Sequence, residues 1–241
     1  MTDPEVVAQL LARVNRATER VQATAAGITD QLAREPSLLP GWSRGHVLTH
    51  IARNADGLRN LLIWARTGVV TPQYPSAQAR NAEIEDGAGR PGSELAADVA
   101  SSAAAFAAEA ARLGNADWDA EVRGIRGAPH PAWFTLWRRL SELEIHHLDL
   151  AAGYQPADWP TEFAREALQR VTGDFTGPDS PAALLRASDH GTEHRIGPPE
   201  QAPTVTIDGP SYALLAWLLG RSDGNGLLTT PTGPLPPVPP W

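Results

Sequence analysis

Four stretches with apolar residues at helical spacing, all before Gly153, constrain the fold more than any other feature of the sequence. The first opens at Asp3-Pro4, an N-cap residue followed by proline where a helix tolerates it. Val7, Leu10, Leu11, Val14 and Val21 then recur until Gly27, and a short helical piece is expected over Thr29 to Arg34. Pro40-Gly41 marks a turn, and Ser43 is the expected N-cap of a second long helix. Its stripe runs through Val47, Ile51, Ala55, Leu58, Leu61 and Leu62 toward Ala65. His50 lies at the edge of that stripe and should face partly inward, with Asn54 one turn on as a polar neighbour. A short helix over Ser76 to Glu85 would carry Arg80. The third long helix, Ser93 to Leu113, is alanine-rich and would let its neighbours approach closely. A loop with Trp118 and Pro129 leads to the fourth, Pro131 to Ala152, with Gly153 as its C-cap. Four such helices imply a four-helix bundle with insertions.

Beyond Gly153 prolines at 156, 160, 178 and 181 puncture the chain, although Thr161 to Val171 still reads as a helix. Ala182–Ser188 and Glu193–Ile196 read as a hairpin around Asp189-His190-Gly191-Thr192, and Val205-Thr206-Ile207 as a third strand. Ser211 to Leu219 reads as a helix ended by Gly220 beside Arg221, and the tail from Pro231 to Trp241 as extended, packing through Trp241. The expected fold is therefore mainly α with two domains: a bundle over residues 1–153 and a small α+β domain over 154–241. No internal repeat is present.

Charge and composition narrow the function. With 28 acidic against 20 basic residues the formal net charge is -8, which argues against a protein that grips nucleic acid through its phosphates. The N-terminus has no basic, then apolar, secretory pattern, and no run approaches the ~18 apolar residues of a membrane span. A cytoplasmic protein with small-molecule partners is the expectation; a monomer is compatible with the sequence. All 20 basic residues are arginine, and cysteine is absent. The chain can form no Schiff base through lysine and offers no cysteine nucleophile, disulfide or thiolate-bound metal. Any metal must sit on histidine, carboxylate or water, and any thiol must come from outside.

Of the seven histidines, His130, His190 and His194 fall in expected loop or hairpin positions without obvious partners and read as surface residues. His46 and His50 on the second helix, and Glu142, Glu144, His146 and His147 on the fourth, are of more interest. Glu142 and His146, four residues apart, share a helix face, and His50 could meet them from another helix. Two histidines and a carboxylate leave a metal open positions, as catalytic zinc requires. The residues alone leave other readings open. Glu144 with His147 could serve instead, His46 could replace His50, and such pairs also occur as plain hydrogen-bonded pairs.

The segment Leu39-Pro40-Gly41-Trp42-Ser43-Arg44-Gly45-His46-Val47-Leu48-Thr49-His50-Ile51-Ala52 resembles the PGW(S/T)xxxhhxHhA signature of the DinB-like, mycothiol-dependent maleylpyruvate isomerase family. Leu140-Ser141-Glu142-Leu143-Glu144-Ile145-His146-His147-Leu148-Asp149-Leu150 is similar to its ExxxHxxDL element. The likeness continues through Pro75–Ile84 and Leu219-Gly220-Arg221-Ser222-Asp223-Gly224, so it covers both halves. It implies zinc bound by His50, Glu142 and His146, with Asp149 as a supporting group and His46 and His147 outside the ligand set.

It also implies mycothiol as cofactor and conversion of maleylpyruvate to fumarylpyruvate, a step of aromatic-compound catabolism. A double bond rotates only once its order is lowered, and reversible thiolate addition to the alkene would do this, leaving an enolate beside two carboxylates. Arg80 and Arg221 match family positions that hold substrate, with Arg221 and His50 the expected catalytic groups and the active site expected between the domains. Trp42 is expected to pack. Two alternatives remain: a mycothiol S-transferase on another electrophile, and a non-catalytic zinc-stabilised regulatory protein.

Overall fold

The computed structural model describes residues 2–125 and 127–241, with eight α-helices among them. Asp3 caps α1 (Pro4–Ala26), its side chain accepting from the Glu5 N–H at 2.9 Å. Val7, Leu10, Val14, Ala17, Val21 and Ala25 form its buried stripe. The short α2 (Asp30–Arg34) follows, capped by Thr29. Ser43 starts α3 (Arg44–Thr67) with a capping box completed by a histidine: its hydroxyl accepts from the His46 N–H, and His46 Nδ1 accepts from the Ser43 N–H at 3.1 Å. Gly68, at φ 71°, ends α3 in the left-handed conformation.

Next come α4 (Ala77–Ala88), capped by Ser76, and α5 (Gly92–Ala110). A Cβ on Gly92 would lie 2.1 Å from the Ile28 carbonyl oxygen, so the start of α5 can approach that turn only as glycine. Two short strands, β1 (Glu121–Val122) and β2 (His130–Pro131), pair antiparallel ahead of α6 (Phe134–Asp149).

The long helices α1, α3, α5 and α6 form a four-helix bundle, in which α3 packs on α5 and α6, and α1 on both of those. The apolar side chains of Val47, Leu48, Ile51, Ala52, Ala55, Leu58, Leu61 and Leu62 are wholly buried, which makes α3 the central helix. Ion pairs fasten it to α5: Arg53 reaches Asp98 at 2.6 Å and Arg66 reaches Glu109 at 2.6 Å.

The fourth helix is shorter than its sequence pattern at both ends. The β1–β2 pairing holds His130 and Pro131 extended, so α6 starts at Phe134. At the other end Gly153 is not the cap. The Leu38 N–H donates to the Asp149 carbonyl at 2.9 Å, and Arg44 donates to the carbonyls of Leu150 and Ala151 at 2.8 and 3.0 Å. These contacts take up the terminal acceptors, and Ala151 itself turns to φ 50°.

The two compact units are Met1–Gly153 and Tyr154–Trp241. In the second, α7 (Thr161–Val171) precedes β3 (Ala183–Ala187) and β4 (Glu193–Ile196), which form the expected antiparallel hairpin. Then come β5 (Val205–Gly209), α8 (Ser211–Leu218) and β6 (Leu228–Thr230), a strand that has no expectation in sequence. The sheet order is β4-β3-β5-β6, with β3 and β5 parallel. α7 packs on α8, and α8 on β3 and β5. Trp241 donates its indole N–H to Asp174 at 2.9 Å, which fixes the end of the tail. The chain is thus mainly α with a small sheet in its second unit. No helix among the described residues is long and apolar enough to cross a membrane.

Candidate active site

Helices α3 and α6 bring His50, Glu142 and His146 together in the first unit, with one ligand atom from each all within 4.8 Å of one another. His50 Nε2 lies 2.9 Å from Glu142 Oε2, and His146 Nε2 lies 3.2 Å from the same oxygen. The two imidazoles stand edge-on with centroids 4.5 Å apart, and Trp42 packs its ring edge-on to His50 at 5.6 Å. The expected packing role of Trp42 is therefore directed at the site.

Proton positions follow from the donors available. The Arg80 guanidinium, which can only donate, lies 3.0 Å from His50 Nδ1, so Nδ1 accepts and the proton on Nε2 is given to Glu142. Burial, the charge on His146 and that on Arg80 push the His50 pKa down to about 4, so this ring is neutral at pH 7. His146 behaves oppositely. Burial presses its pKa down, but hydrogen bonds to Asp149 (Nδ1 to Oδ2, 2.8 Å) and Glu142 outweigh it and raise the value to about 9. Glu142 is half-buried, and that desolvation by itself favours the neutral acid, yet its bonds to both histidines hold it well below the usual carboxylate range.

The alternative ligand pair faces elsewhere. Glu144 forms an ion pair with Arg20, and His147 Nε2 lies 2.7 Å from Thr24 Oγ1, so both are turned toward α1. His46 is occupied by the helix cap and by a stacked Trp42.

The donor set and spacing suit a divalent metal. A tetrahedral zinc with ligands at ~2.0–2.2 Å sets its ligand atoms about 3.4 Å apart, and the two histidine–Glu142 distances of 2.9 and 3.2 Å are within about half an ångström of that. Two nitrogens and one carboxylate oxygen leave room for exogenous ligands, and Asp149 supplies the carboxylate that orients and polarises His146.

A cavity of 210 Å³ opens on the triad, lined by His50, Asn54, Tyr74, Arg80, Arg138 and Glu142 among others. Tyr74 lies beneath Arg80, whose guanidinium carbon is 5.9 Å from the ring centre. Burial raises the Tyr74 pKa, so it faces the cavity as a neutral phenol. Behind the cavity Arg139, 1% exposed, donates to the Ile51 carbonyl at 2.8 Å and to Asn54 Oδ1 at 2.9 Å. Arg138 and Arg139 have no counterpart in the sequence reading. The available signal was spacing, since Arg138 precedes Glu142 by one turn on the same face.

The remaining histidines have partners. His130 Nε2 accepts from Arg138 at 3.4 Å, while His190 pairs with Ser211 at 2.7 Å and with Thr192 at 2.8 Å. A larger cleft of 470 Å³ in the second unit includes His190 and His194, but the described residues hold no second group of three metal-competent ligands. Arg221 belongs to the second unit, where its N–H closes α8 onto the Ala216 carbonyl at 2.8 Å and its Nη1 donates to the Leu219 carbonyl at 2.6 Å.

Residues 14–151 match the family model of the mycothiol maleylpyruvate isomerase N-terminal domain, and residues 158–240 that of the MDMPI C-terminal domain. The chain belongs to the mycothiol maleylpyruvate isomerase family. Two solved structures agree with this: the crystal structure of the mycothiol-dependent maleylpyruvate isomerase, and that of a variant of it with a histidine changed to alanine. Each is 28% identical to the chain, covers 98% of it and 97% of the solved chain, and superposes with a TM-score of 0.90. No curated protein matches the chain. The resemblance read from the PGW and ExxxHxxDL segments thus holds for the family, and it extends over both units.

Proposed function

We propose that the chain is a zinc- and mycothiol-dependent cis–trans isomerase that converts maleylpyruvate to fumarylpyruvate. The observation that carries this reading is the triad itself. Two imidazole nitrogens and a carboxylate oxygen converge beside a cationic cavity, in a chain that has no cysteine of its own. Family membership and the isomerase it superposes on supply the reaction class.

When bound, mycothiol supplies the sulfur nucleophile whose reversible addition frees the double bond to rotate, and zinc holds that sulfur as thiolate at neutral pH. The chain's own residues do the rest. His50, Glu142 and His146 would hold the metal, and Asp149 fixes the ring of His146 with Nε2 toward Glu142. Arg80, resting on Tyr74, offers a planar cation to a substrate carboxylate, and Tyr74 stays a neutral hydrogen-bond donor. Arg221 is assigned a further substrate contact, to be tested by its effect on KM. A reduced thiol pool belongs to the cytoplasm, and the reaction is placed there.

The test follows substrate and thiol together. Zinc-loaded protein, mycothiol and maleylpyruvate should give the trans product with free thiol unchanged at the end. Stoichiometric loss of thiol would instead support a mycothiol S-transferase, and no turnover would support a regulatory zinc protein.

A further inference from the structure

The cavity beside the triad has a second guanidinium that neither the family motifs nor the proposed mechanism uses. Arg138, on α6 one turn before Glu142, lines the same space as Arg80. Its hydrogen-bond partners are both neutral, and the one carboxylate whose charge reaches it is that of Glu142. Nη2 donates to Gln73 Oε1 at 3.2 Å and Nη1 faces His130 Nε2 at 3.4 Å. His130 can accept there because its other nitrogen, Nδ1, is directed at the Pro131 carbonyl at 3.0 Å. Gln73 is 4% exposed, and its Oε1 also accepts from the Ile125 N–H at 3.0 Å, so the group that aims Arg138 is itself fixed.

Room for the guanidinium comes from a glycine. A Cβ on Gly124 would lie 2.3 Å from Arg138 Nη1 and 2.9 Å from Gln73 Oε1. The position is therefore built: a buried amide, an imidazole and a side-chain-free residue hold a cation in place without neutralising it. Among the described residues neither Arg80 nor Arg138 forms an ion pair with a carboxylate, whereas Arg20, Arg44, Arg53, Arg66 and Arg90 all do. The nearest acid on the same helix face, Glu142, is committed to two histidines. Burial opposes the charge on Arg138 more than the shared Glu142 carboxylate supports it, and an anion entering the cavity to pair with it directly relieves that.

We propose that Arg138 and Arg80 form a two-guanidinium clamp that selects substrates with two carboxylates, Arg138 binding one and Arg80 the other. The inference rests on the isomerase reading for the identity of the substrate, but it concerns binding and can be tested without turnover.

Calorimetry on the zinc-loaded protein reads it directly, with maleate as the cis-dicarboxylate probe and monomethyl maleate as its singly charged partner. Wild-type protein should bind maleate more tightly than the monoester. Arg138→Gln should weaken maleate by about 10–100-fold, the usual range for losing a charge-assisted pair, and leave the monoester far less affected. Arg138→Lys should fall between, because it keeps the charge and loses the planar fork. Gly124→Ala should also weaken maleate while keeping every charge, and it carries the test if Arg138→Gln does not fold. Equal maleate affinity in wild type and Arg138→Gln, or a wild type that does not prefer maleate to its monoester, would overturn the clamp. A wild type that shows the preference but leaves maleylpyruvate unchanged would keep the clamp and overturn the isomerase reading.

Discussion

The carboxylate of Asp149, fully buried, lies 2.8 Å from Nδ1 of His146, on the side of the ring opposite the triad. The sequence carries this as a three-residue spacing on one helix, and the structure turns it into an oriented imidazole whose Nε2 faces Glu142. Asp149→Asn should keep the shape and remove the charge. Zinc affinity, read by competition with a chromogenic chelator, should fall by about 10–100-fold, the range for losing such a supporting carboxylate. Unchanged affinity would mean that Asp149 only packs.

Metal binding should expel a proton. At pH 7.5 His50, with a pKa near 4, is already neutral and has only to shift its proton from Nε2 to Nδ1, whereas His146, raised to about 9, is protonated and must lose a proton to ligate. Calorimetry in buffers of different ionisation enthalpy should report about one proton released per zinc, and apparent affinity should climb with pH up to about 9.

The same two histidines set opposite limbs in the stability of the metal-free protein. Between about 4 and 6.5 the unfolded chain binds the His50 proton that the folded chain refuses, so stability rises with pH. Between 6.5 and about 9 the folded chain keeps the His146 proton that the unfolded chain has lost, so stability falls. Thermal melts should peak near pH 6.5, and His146→Gln should flatten the alkaline limb.

Packing against α1 turns His147 toward Thr24 and leaves His146 facing Glu142, so the proposed metal site predicts different outcomes for the two histidines. His146→Ala should abolish tight zinc binding. His147→Ala should leave it in place and lower stability by roughly 1–3 kcal/mol, through the lost contact with Thr24 and the space left behind. Equilibrium denaturation and metal content separate the two effects.

Much of this was legible in sequence because it depends on neighbours along the chain. Asp3 and Ser43 cap the helices they precede as expected, Thr29 and Ser76 turn out to cap the helices expected to include them, and the four-residue spacing of Glu142 and His146 survives folding unchanged. The choice between Glu142 with His146 and Glu144 with His147 depends on Arg20 and Thr24, more than a hundred residues away, and no local pattern encodes it. The end of α6 departs from its sequence pattern for the same reason: Arg44 and Leu38 satisfy its last carbonyls from a distance, which makes a glycine cap unnecessary. The setting of Arg138 is not local, because its partners Gln73 and His130 come from the loop after α3 and from β2 and meet it only in three dimensions.

The most direct test titrates zinc into metal-free protein in the presence of mycothiol and maleylpyruvate. The rate of fumarylpyruvate formation should rise in proportion to bound metal and level off at about one ion per chain, with free mycothiol constant throughout. Full activity without metal, or no trans product at any loading, would contradict the account.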